Sequence, residues 1–480
     1  MIIFLRKGAG LRIQFLGAAQ TVTGSLYLLE TKKQRFLIDA GLFQGSQKAE
    51  KQNFRPLPFH PKHLDGIILT HAHIDHSGLI PRMVAEGYRG PIYATPATID
   101  LCRIVLPDSG SLHEEDCRYE NKWRKKCGKD LLVPLYTRQQ AEMSLKYFEK
   151  LPYYKRQTIG RSINLTFHDA GHILGSAIVE LEVEGSKIVF SGDMGNRDNP
   201  ILREPDLIDQ TDYLIIESTY GDRLHEDPAT RMEGLGEIIR GAQGPIIIPA
   251  FAVERTQELM YDIIRLQRAG KIPTLPIYVD SPMAVSATEI FERYQSVFGS
   301  EIRAALKRGE PLFETPNMHL IRSPEESQRL NHLETPAIII SASGMCEGGR
   351  IRHHLYHHLP QAQSTLVFVG FQAERTLGRR LREGVQSITL FGETVPVRAT
   401  VKSLDSYSAH ADYEGLISWV RGMQQPPAYT FITHGELASS QALGKRMMDE
   451  LEIVTVIPAL GELFELLPAS SGTARLEPAN

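Results

Sequence analysis

One short segment limits what this chain can be more than any other. Residues 70–78 read T-H-A-H-I-D-H-S-G, which places three histidines and an aspartate within six positions. The apolar residues 66–69 come directly before and predict a short buried strand. A turn after such a strand can direct imidazoles into one pocket, and imidazole with carboxylate suits zinc and its first-row neighbours. A solvated, inert histidine-rich loop is the alternative, and we favour a metal site formed by His71, His73, Asp75 and His76.

Length and charge narrow the class of protein. The chain has 480 residues, which predicts more than one domain. Hydrophobic residues make up 42% and charged residues 23%, as in ordinary globular proteins. The net charge of −4 excludes a uniformly basic nucleic-acid binder. Any site for a polyanion must therefore be a local patch or a metal.

Cysteine usage and apolar runs bear on the compartment. The four cysteines form no C-x-x-C pair, which predicts reduced thiols in a cytoplasmic protein and no cysteine-based zinc site. Residues 1–7 have apolar and basic residues in the wrong order for a signal peptide. Because no apolar run approaches about 18 residues, we expect no membrane partner.

The chain changes character along its length. Short apolar or alternating runs at 12–17, 24–30 and 35–39 predict a series of β-strands, and strands return at 163–167 and 187–190. Between them, residues 79–155 look mainly helical and polar. Residues 222–398 alternate apolar strands with helices, which predicts a parallel sheet covered on both faces.

Further polar residues stand where predicted strands end. Taken singly, each has a plain structural explanation, such as a turn aspartate, a structural histidine or a polar strand end. The candidates are Asp39, His172, Asp193, Glu217, His410 and His434.

These residues carry a resemblance to a known family. The pattern H-x-H-x-D-H at 71–76 resembles the central motif of the metallo-β-lactamase superfamily in its two-metal version. Flavin-linked di-iron members typically have glutamate where His73 stands, which favours zinc hydrolysis here. His172 and Asp193 match the third and fourth superfamily motifs. E-S-T-Y-G at 217–221, S-A-H-A-D at 408–412 and T-H-G-E at 433–436 resemble motifs A, B and C of the β-CASP nucleases.

The resemblance covers residues 11–467 and implies a fold. It implies an α/β protein, a metallo-β-lactamase αββα sandwich with an inserted β-CASP domain whose parallel sheet is flanked by helices. The expected first domain spans 11–217 and 399–468, interrupted by the β-CASP domain at 218–398. Residues 469–480 are expected to be a disordered tail.

The resemblance also implies a chemistry. It implies a zinc-dependent ribonuclease with two zinc ions, related to the endonuclease of the pre-mRNA cleavage machinery and its prokaryotic relatives. One ion would be held by His71, His73 and His172, the other by Asp75, His76 and His434, with Asp193 bridging them and Asp39 holding the histidines. A hydroxide would attack phosphorus. His410, oriented by Glu217, would protonate the departing oxygen, and Asp75 is counted with them as catalytic.

The expected partner is single-stranded RNA, cut endonucleolytically, with a homodimer possible. RNA is favoured over DNA because the DNA-repair branch of the family typically lacks a histidine at motif C, where His434 stands. A small-molecule hydrolase of the thioesterase or lactonase type and a catalytically silent RNA-binding subunit are the alternatives.

Several features stay open between function and plain structure. Ser343 and Gly344, at the start of a predicted helix, could bind a substrate phosphate or form a tight turn. The same choice, polyanion cleft or solvated surface, applies to Arg375 and to the neighbouring Arg350, Arg379 and Arg380. For the basic run at Arg118, Lys122, Arg124, Lys125 and Lys126 we favour a solvated helix face. The histidines His353, His354, His357 and His358 are expected at the surface or an interface.

Overall fold

A computed structural model of the chain describes residues 10–197, 199–370, 372–373, 375–467 and 476–478, without the side chains of residues 47, 228, 229, 405 and 476–478. The chain divides into two compact units. The first comprises the residues up to 197, residues 204–224 and those from 410 onward. The second comprises 199–203 and 225–409. None of the helices within these described residues is both long and apolar enough to cross a bilayer.

The first unit contains two sheets. The alternation in Leu11–Phe15 and in Ile163–Asp169 buries every second side chain, as expected of strands with one face on a core. In spatial order, the first sheet consists of Leu476–Pro478, Leu463–Leu466, Leu11–Phe15, Tyr27–Glu30, Arg35–Ile38, Gly66–Ile68, Ile92–Ala94 and Phe148–Lys150. The second consists of Thr455–Val456, Tyr429–Thr433, Tyr213–Glu217, Ser186–Phe190, Ala177–Val183, Ile163–Asp169 and Gln157–Ile159.

The two sheets pack face to face around one hydrophobic core. Phe15 of the first sheet is fully buried, and its ring centroid lies 5.0 Å from that of Phe431 of the second sheet. Tyr27 and Phe464 contact the same ring with centroids at 5.8 Å. Aromatic pairs at these distances add to the free energy of burial. This cluster therefore joins strands that are more than four hundred residues apart in sequence.

Helices cover the outer faces of the sandwich. Trp419 and Leu443 belong to two helices that bury the outer face of the second sheet, in a cluster with its Val189. The parallel strands of the first sheet, Arg35–Ile38 through Phe148–Lys150, need crossover connections that contain helices. The predicted αββα sandwich is confirmed. Its helices are Gln47–Glu50, Ile74–Ser77, Ile80–Ala85, Pro96–Lys126, Arg138–Ser144, Tyr413–Arg421 and Leu437–Leu451.

The second unit is a parallel sheet flanked by helices, as predicted. Its strands, in spatial order, are Met318–Leu320, Ile277–Val279, Ile338–Ser341, Ile246–Pro249, Thr365–Phe368 and Thr400–Ser403. Its helices are Pro228–Arg240, Arg255–Arg268, Pro282–Arg293, Ser300–Lys307, Pro324–Leu330, Ile351–His358 and Leu377–Arg382. A hairpin of Ser387–Leu390 and Glu393–Pro396 completes it. The apolar runs are buried on both faces, which explains their lack of alternation.

Three details differ from the sequence-based expectation. The strand Thr400–Ser403 pairs with Thr365–Phe368 and thus belongs to the sheet of the second unit, although the expected boundary lay at 398. The helix expected to open at Ser343 and Gly344 begins only at Ile351. In the expected disordered tail, residues 476–478 form a strand against Leu463–Leu466, and the rest lies outside the described residues.

The histidines of the helix Ile351–His358 were expected at the surface or an interface, and two of them lie instead in the interior of the second unit. His354 and His358 are buried, and His354 Nε2 donates to Asp280 Oδ2 over 2.6 Å. The same carboxylate accepts hydrogen bonds from Ser327 Oγ and Arg350 Nη1, both at 2.6 Å. Arg350 is therefore engaged in holding a buried aspartate, and these groups join three elements of the second unit.

We expect Phe15→Ala to destabilise the first unit by about 3–5 kcal/mol, because it empties the centre of the inter-sheet core. Both tryptophans, Trp123 and Trp419, lie in the first unit, so their fluorescence during denaturation follows its unfolding. Phe54→Ala is the matched control, since Phe54 is 61% exposed. A loss below roughly 1 kcal/mol in Phe15→Ala would contradict the assigned core.

Candidate metal centre

The candidate site lies at the carboxyl ends of parallel strands. Arg35–Ile38 is parallel to Gly66–Ile68 in the first sheet, and Ser186–Phe190, Tyr213–Glu217 and Tyr429–Thr433 are mutually parallel in the second. Because parallel strands end at the same edge, the residues that follow them converge there. The residues at or just after these strand ends are Asp39, His71, His73, Asp75, His76, Asp193, Glu217 and His434.

Unusual backbone conformations bring these loops together. Asp39 and His434 have φ angles of +59° and +49°, in the left-handed region that side chains rarely adopt. The His434 N–H donates to Ala18 O over 2.7 Å, which fixes its turn. Gly41 has no room for a side chain, because a Cβ would lie 1.6 Å from Asp75 O. The loop after Arg35–Ile38 thus packs directly on the loop that carries Asp75.

Two groups of potential metal ligands meet at this edge. In the first, His73 Nδ1 lies 3.0 Å from His71 Nε2 and 3.2 Å from His172 Nε2. In the second, His434 Nε2 lies 3.2 Å from His76 Nε2 and 3.4 Å from Asp75 Oδ2. The ligand atoms of each group all lie within 4.8 Å of one another. His172, which the sequence places 99 residues after His73, is therefore brought to the same point.

Asp193 connects the two groups. Its Oδ2 lies 3.5 Å from His71 Nε2, 3.6 Å from His172 Nε2 and 3.3 Å from His76 Nε2, and its Oδ1 lies 3.4 Å from His434 Nδ1. The Asp193 side chain is 2% exposed. It therefore faces members of both groups from within the protein.

The donor set fits a metal. Burial lowers the pKa of His71 well below its usual value and lowers that of His73 to about 4. Both imidazoles are thus neutral near pH 7, as a metal ligand must be. Asp193 Oδ1 is buried and accepts no hydrogen bond from the described residues. A buried carboxylate oxygen left in this way, among imidazole nitrogens at these spacings, suits a cation that accepts nitrogen and oxygen ligands.

Asp39 holds one of the histidines from behind. Its Oδ2 accepts a hydrogen bond of 2.7 Å from His76 Nδ1 and one of 2.9 Å from Thr70 Oγ1. The Thr70 N–H donates to Oδ1 over 2.8 Å. Because Nδ1 donates to Asp39, the Nε2 of His76 is the ring nitrogen that can bind a metal, and it faces Asp193 and His434.

His410 and Glu217 form a separate pair beside these groups. His410 Nδ1 lies 3.1 and 3.0 Å from the two oxygens of Glu217. Glu217 Oε1 also accepts a hydrogen bond of 2.6 Å from the Met194 N–H. Burial lowers the pKa of His410, but the charges of Glu217 and Asp193 outweigh it and raise the pKa to about 9. The His410 side chain keeps 18% exposure, so a solvent molecule or substrate can reach it.

Three predicted substrate contacts belong to the second unit. Ser343 Oγ and the Gly348 N–H lie 3.3 Å apart in a turn that also includes Gly344, and Arg375 has a φ of +68°. Their roles as substrate contacts stay predictions. Two residues of the metal centre were not singled out from the sequence: Thr70, described above, and Thr219, whose Oγ1 lies 3.2 Å from His434 Nδ1. Thr219 is the third residue of E-S-T-Y-G, so the motif pointed to it without giving it a role.

We expect Asp39→Ala to weaken metal binding about 10- to 100-fold, because His76 loses the hydrogen bond that orients its ring. Competition against a zinc-binding dye measures the affinity. Asp65→Ala is the control. The Asp65 carboxylate accepts a hydrogen bond from the Arg35 N–H, at the end of the strand Arg35–Ile38 that lies opposite to Asp39. Equal affinities of Asp39→Ala and the parent chain would show that Asp39 does not support the ligand.

Three family models match the chain. They are the metallo-beta-lactamase superfamily over residues 20–88, the Beta-Casp domain over 256–381 and the Zn-dependent metallo-hydrolase RNA specificity domain over 394–458. A protein of unknown function from Enterococcus faecalis V583 has a similar fold, with a TM-score of 0.52, 11% identity and coverage of 95% of this chain and 99% of that one.

Relatives with higher identity extend over almost the whole chain. Ribonuclease TTHA0252 of Thermus thermophilus is 37% identical over 91% of this chain and 95% of its own length. An RNase J-like protein of Methanocaldococcus jannaschii is 32% identical over 95% of this chain and 99% of its own. Transcription termination factor FttA of Methanosarcina mazei is 32% identical over 94% of this chain and 70% of its own length. The chain belongs to the β-CASP ribonuclease family of the metallo-β-lactamase superfamily and is a metal-dependent hydrolase that acts as a ribonuclease.

Proposed function

We propose that this ribonuclease hydrolyses phosphodiester bonds within single-stranded RNA by using two zinc ions. His71, His73 and His172 would hold one ion, and Asp75, His76 and His434 the other. The observation that carries the proposal is the position of Asp193, whose two oxygens face members of both groups. Only a carboxylate among these side chains can bridge two metals well.

When bound, a zinc pair supplies Lewis-acid activation of water and stabilises negative charge on phosphate oxygens. The side chains of the chain supply what such a pair needs: imidazoles of which His71 and His73 are neutral near pH 7, a buried shared carboxylate and an aspartate that fixes one imidazole ring. The sandwich core positions them, since each ligand follows a buried strand. Orientation of this kind lowers the barrier because the reacting groups need not be ordered during the reaction.

His410 is suited to give a proton to the departing oxygen. With Nδ1 bonded to both oxygens of Glu217, the ring has one orientation and its Nε2 carries the proton that can be transferred. Glu217 is fixed in turn by the Met194 N–H and by the Thr219 N–H, at 2.6 and 3.3 Å. This arrangement resembles the orientation of a catalytic imidazole by a carboxylate in other hydrolases.

RNA as the polymer is supported by two findings. One matching family model describes an RNA specificity domain, and the Thermus relative is named a ribonuclease. His434, whose counterpart the DNA-repair branch typically lacks, also favours RNA.

The four cysteines are free thiols, as is usual in a reducing compartment, and this supports a cytoplasmic enzyme.

Cleavage of a 5′-labelled single-stranded RNA by protein of known zinc content tests the proposal, beside DNA of the same sequence. We expect internal RNA products and little cleavage of DNA. Absence of RNA cleavage at full zinc occupancy would contradict the proposed reaction.

We expect His410→Ala to keep its zinc and to lose cleavage about 10²- to 10⁴-fold, because the substitution removes a proton donor and leaves the ligands in place. Metal analysis and initial rates on the same preparation measure both. Glu217→Gln is the matched variant, and it should also keep zinc while cleaving more slowly. Loss of zinc from His410→Ala would overturn the assignment of this residue.

Asp193→Ala, by contrast, should lose both zinc and activity, because it removes the carboxylate that faces both groups. Metal content by elemental analysis after gel filtration checks the outcome. Asp206→Ala serves as a control, since Asp206 bonds the Asp169 N–H and lies outside the ligand groups. Zinc content equal to that of the parent chain in Asp193→Ala would rule out the bridging role.

A further inference from the structure

The long helix Pro96–Lys126 is buried only in its first half. Leu101, Cys102 and Leu106 are fully buried, whereas every residue from 111 to 135 is at least partly exposed. We call residues 111–135 the basic arm. At 1.5 Å per residue, the helical part of the arm extends for roughly 24 Å. A segment this exposed contributes little to the hydrophobic core, so core packing does not explain its sequence.

The basic arm is nevertheless well held. At its base, the buried Tyr136 donates a hydrogen bond of 2.8 Å to Ser109 Oγ, and its ring packs edge-on against His113. Near its tip, Asn121 and the backbone of Leu132 exchange two hydrogen bonds, of 2.9 and 2.8 Å. The segment that returns from the helix is thereby fixed along it. The arm is a built hairpin and presents a defined surface.

One side of the helix in the arm combines aromatic and cationic groups. Tyr119 is 71% and Trp123 is 49% exposed, and they are four positions apart, so they are neighbours on the helix surface. Lys122 and Lys126 are exposed beside them, because all four positions fall within about 100° of the helix circumference. Lys129 Nζ lies 4.2 Å from the centroid of the Trp123 ring. Residues 117–129 contain six basic residues and one acidic residue, and the rest of the arm contains four acidic residues and no lysine or arginine.

Plain structural reasons account for only part of this surface. Basic residues in the last turn stabilise a helix through its dipole, which explains Lys125 and Lys126. A solvated face would explain Lys122. Neither reason explains the two large aromatic side chains that are exposed on the same side of the helix, since solvation of a helix face requires polar side chains and not aromatic ones.

We propose that the basic arm binds single-stranded RNA, with bases stacked on Tyr119 and Trp123 and phosphates paired with Lys122 and Lys126. Aromatic faces interleaved with cations are the chemistry that holds single strands without regard to sequence. The acidic residues of the arm lie mostly outside residues 117–129, so on a chain of net charge −4 that stretch forms a local positive surface that attracts a polyanion to one place. The inference rests on the proposed function, because the bound strand is the substrate.

The position of the arm sets a minimum length for an RNA that contacts both the arm and the metal centre. At the other end of the helix, Thr95 and Thr98 donate hydrogen bonds of 2.7 and 2.8 Å to Gly175 O, in the loop that carries His172. A helix of 31 residues is about 46 Å long, so the arm lies tens of ångströms from the ligand groups. Only an RNA long enough to span that distance can contact both, and a short one is cleaved without the arm.

The test compares two RNA lengths in a chain that binds but does not cleave. Zinc-loaded His410→Ala protein is titrated with labelled oligouridylates of about 30 and about six nucleotides, followed by anisotropy, with and without Tyr119→Ala and Trp123→Ala. We expect the aromatic double variant to bind the long RNA at least about tenfold more weakly and the short RNA equally well. Phe54→Ala, another exposed aromatic, is the control and should change neither affinity.

The salt dependence tests the lysines separately. In Lys122→Ala with Lys126→Ala, the slope of log affinity for the long RNA against log salt should fall by about 1.4, and Lys32→Ala with Lys33→Ala, on an exposed turn, should leave it unchanged. An unchanged affinity and slope in the arm variants would overturn the inference. So would a dimer of the parent chain that dissociates in the aromatic variant while RNA affinity persists, since the arm would then join two copies.

The failure of the arm and the failure of the proposed function give different results. If only the arm inference fails, catalytically intact arm variants cleave long RNA with the KM and kcat of the parent chain. If the proposed function fails, neither RNA length is cleaved by any zinc-loaded chain. If both hold, the arm variants show a raised KM for the long RNA and an unchanged kcat.

Discussion

The structure depends on a buried carboxylate. Asp193 is 2% exposed and has five imidazoles within 4.0 Å of its oxygens. A carboxylate removed from water costs several kcal/mol unless its charge is paired. The surrounding histidines come from four separated parts of the chain, so the site forms only when both sheets are in place. Metal binding and folding of the first unit are therefore expected to stabilise one another.

The sandwich explains why the site lies where it does. Parallel strands from both sheets end at one edge, and the residues at or within a few positions of these ends meet there. Two of those residues, Asp39 and His434, have left-handed backbone conformations that cost energy without a compensating contact. The hydrogen bonds of Asp39 to His76 and Thr70 supply that contact. Local strain is thus accepted where it orients a potential ligand.

Apolar runs predicted the strands and the parallel sheet because such runs report burial directly, whereas the αββα sandwich was expected from the family resemblance. Motif spacing named the residues that the structure brings together at the metal centre. Long-range pairing was harder to predict. His354 and His358 look like exposed helix residues until Asp280, 74 positions before His354, is placed beside His354. The strand Thr400–Ser403 joins the sheet of the second unit only through its register with Thr365–Phe368. Neither fact is encoded in a local pattern.

A zinc titration followed by RNA cleavage shows whether the site holds two metal ions and whether both are needed for the reaction. Metal is removed from the folded protein with a chelator, and zinc is then added stepwise. Bound zinc and the initial rate of cleavage are measured on each sample. We expect two bound equivalents per chain, with cleavage rising as the second equivalent binds. Full cleavage at one equivalent, or cleavage that persists after zinc removal, would contradict the two-metal site.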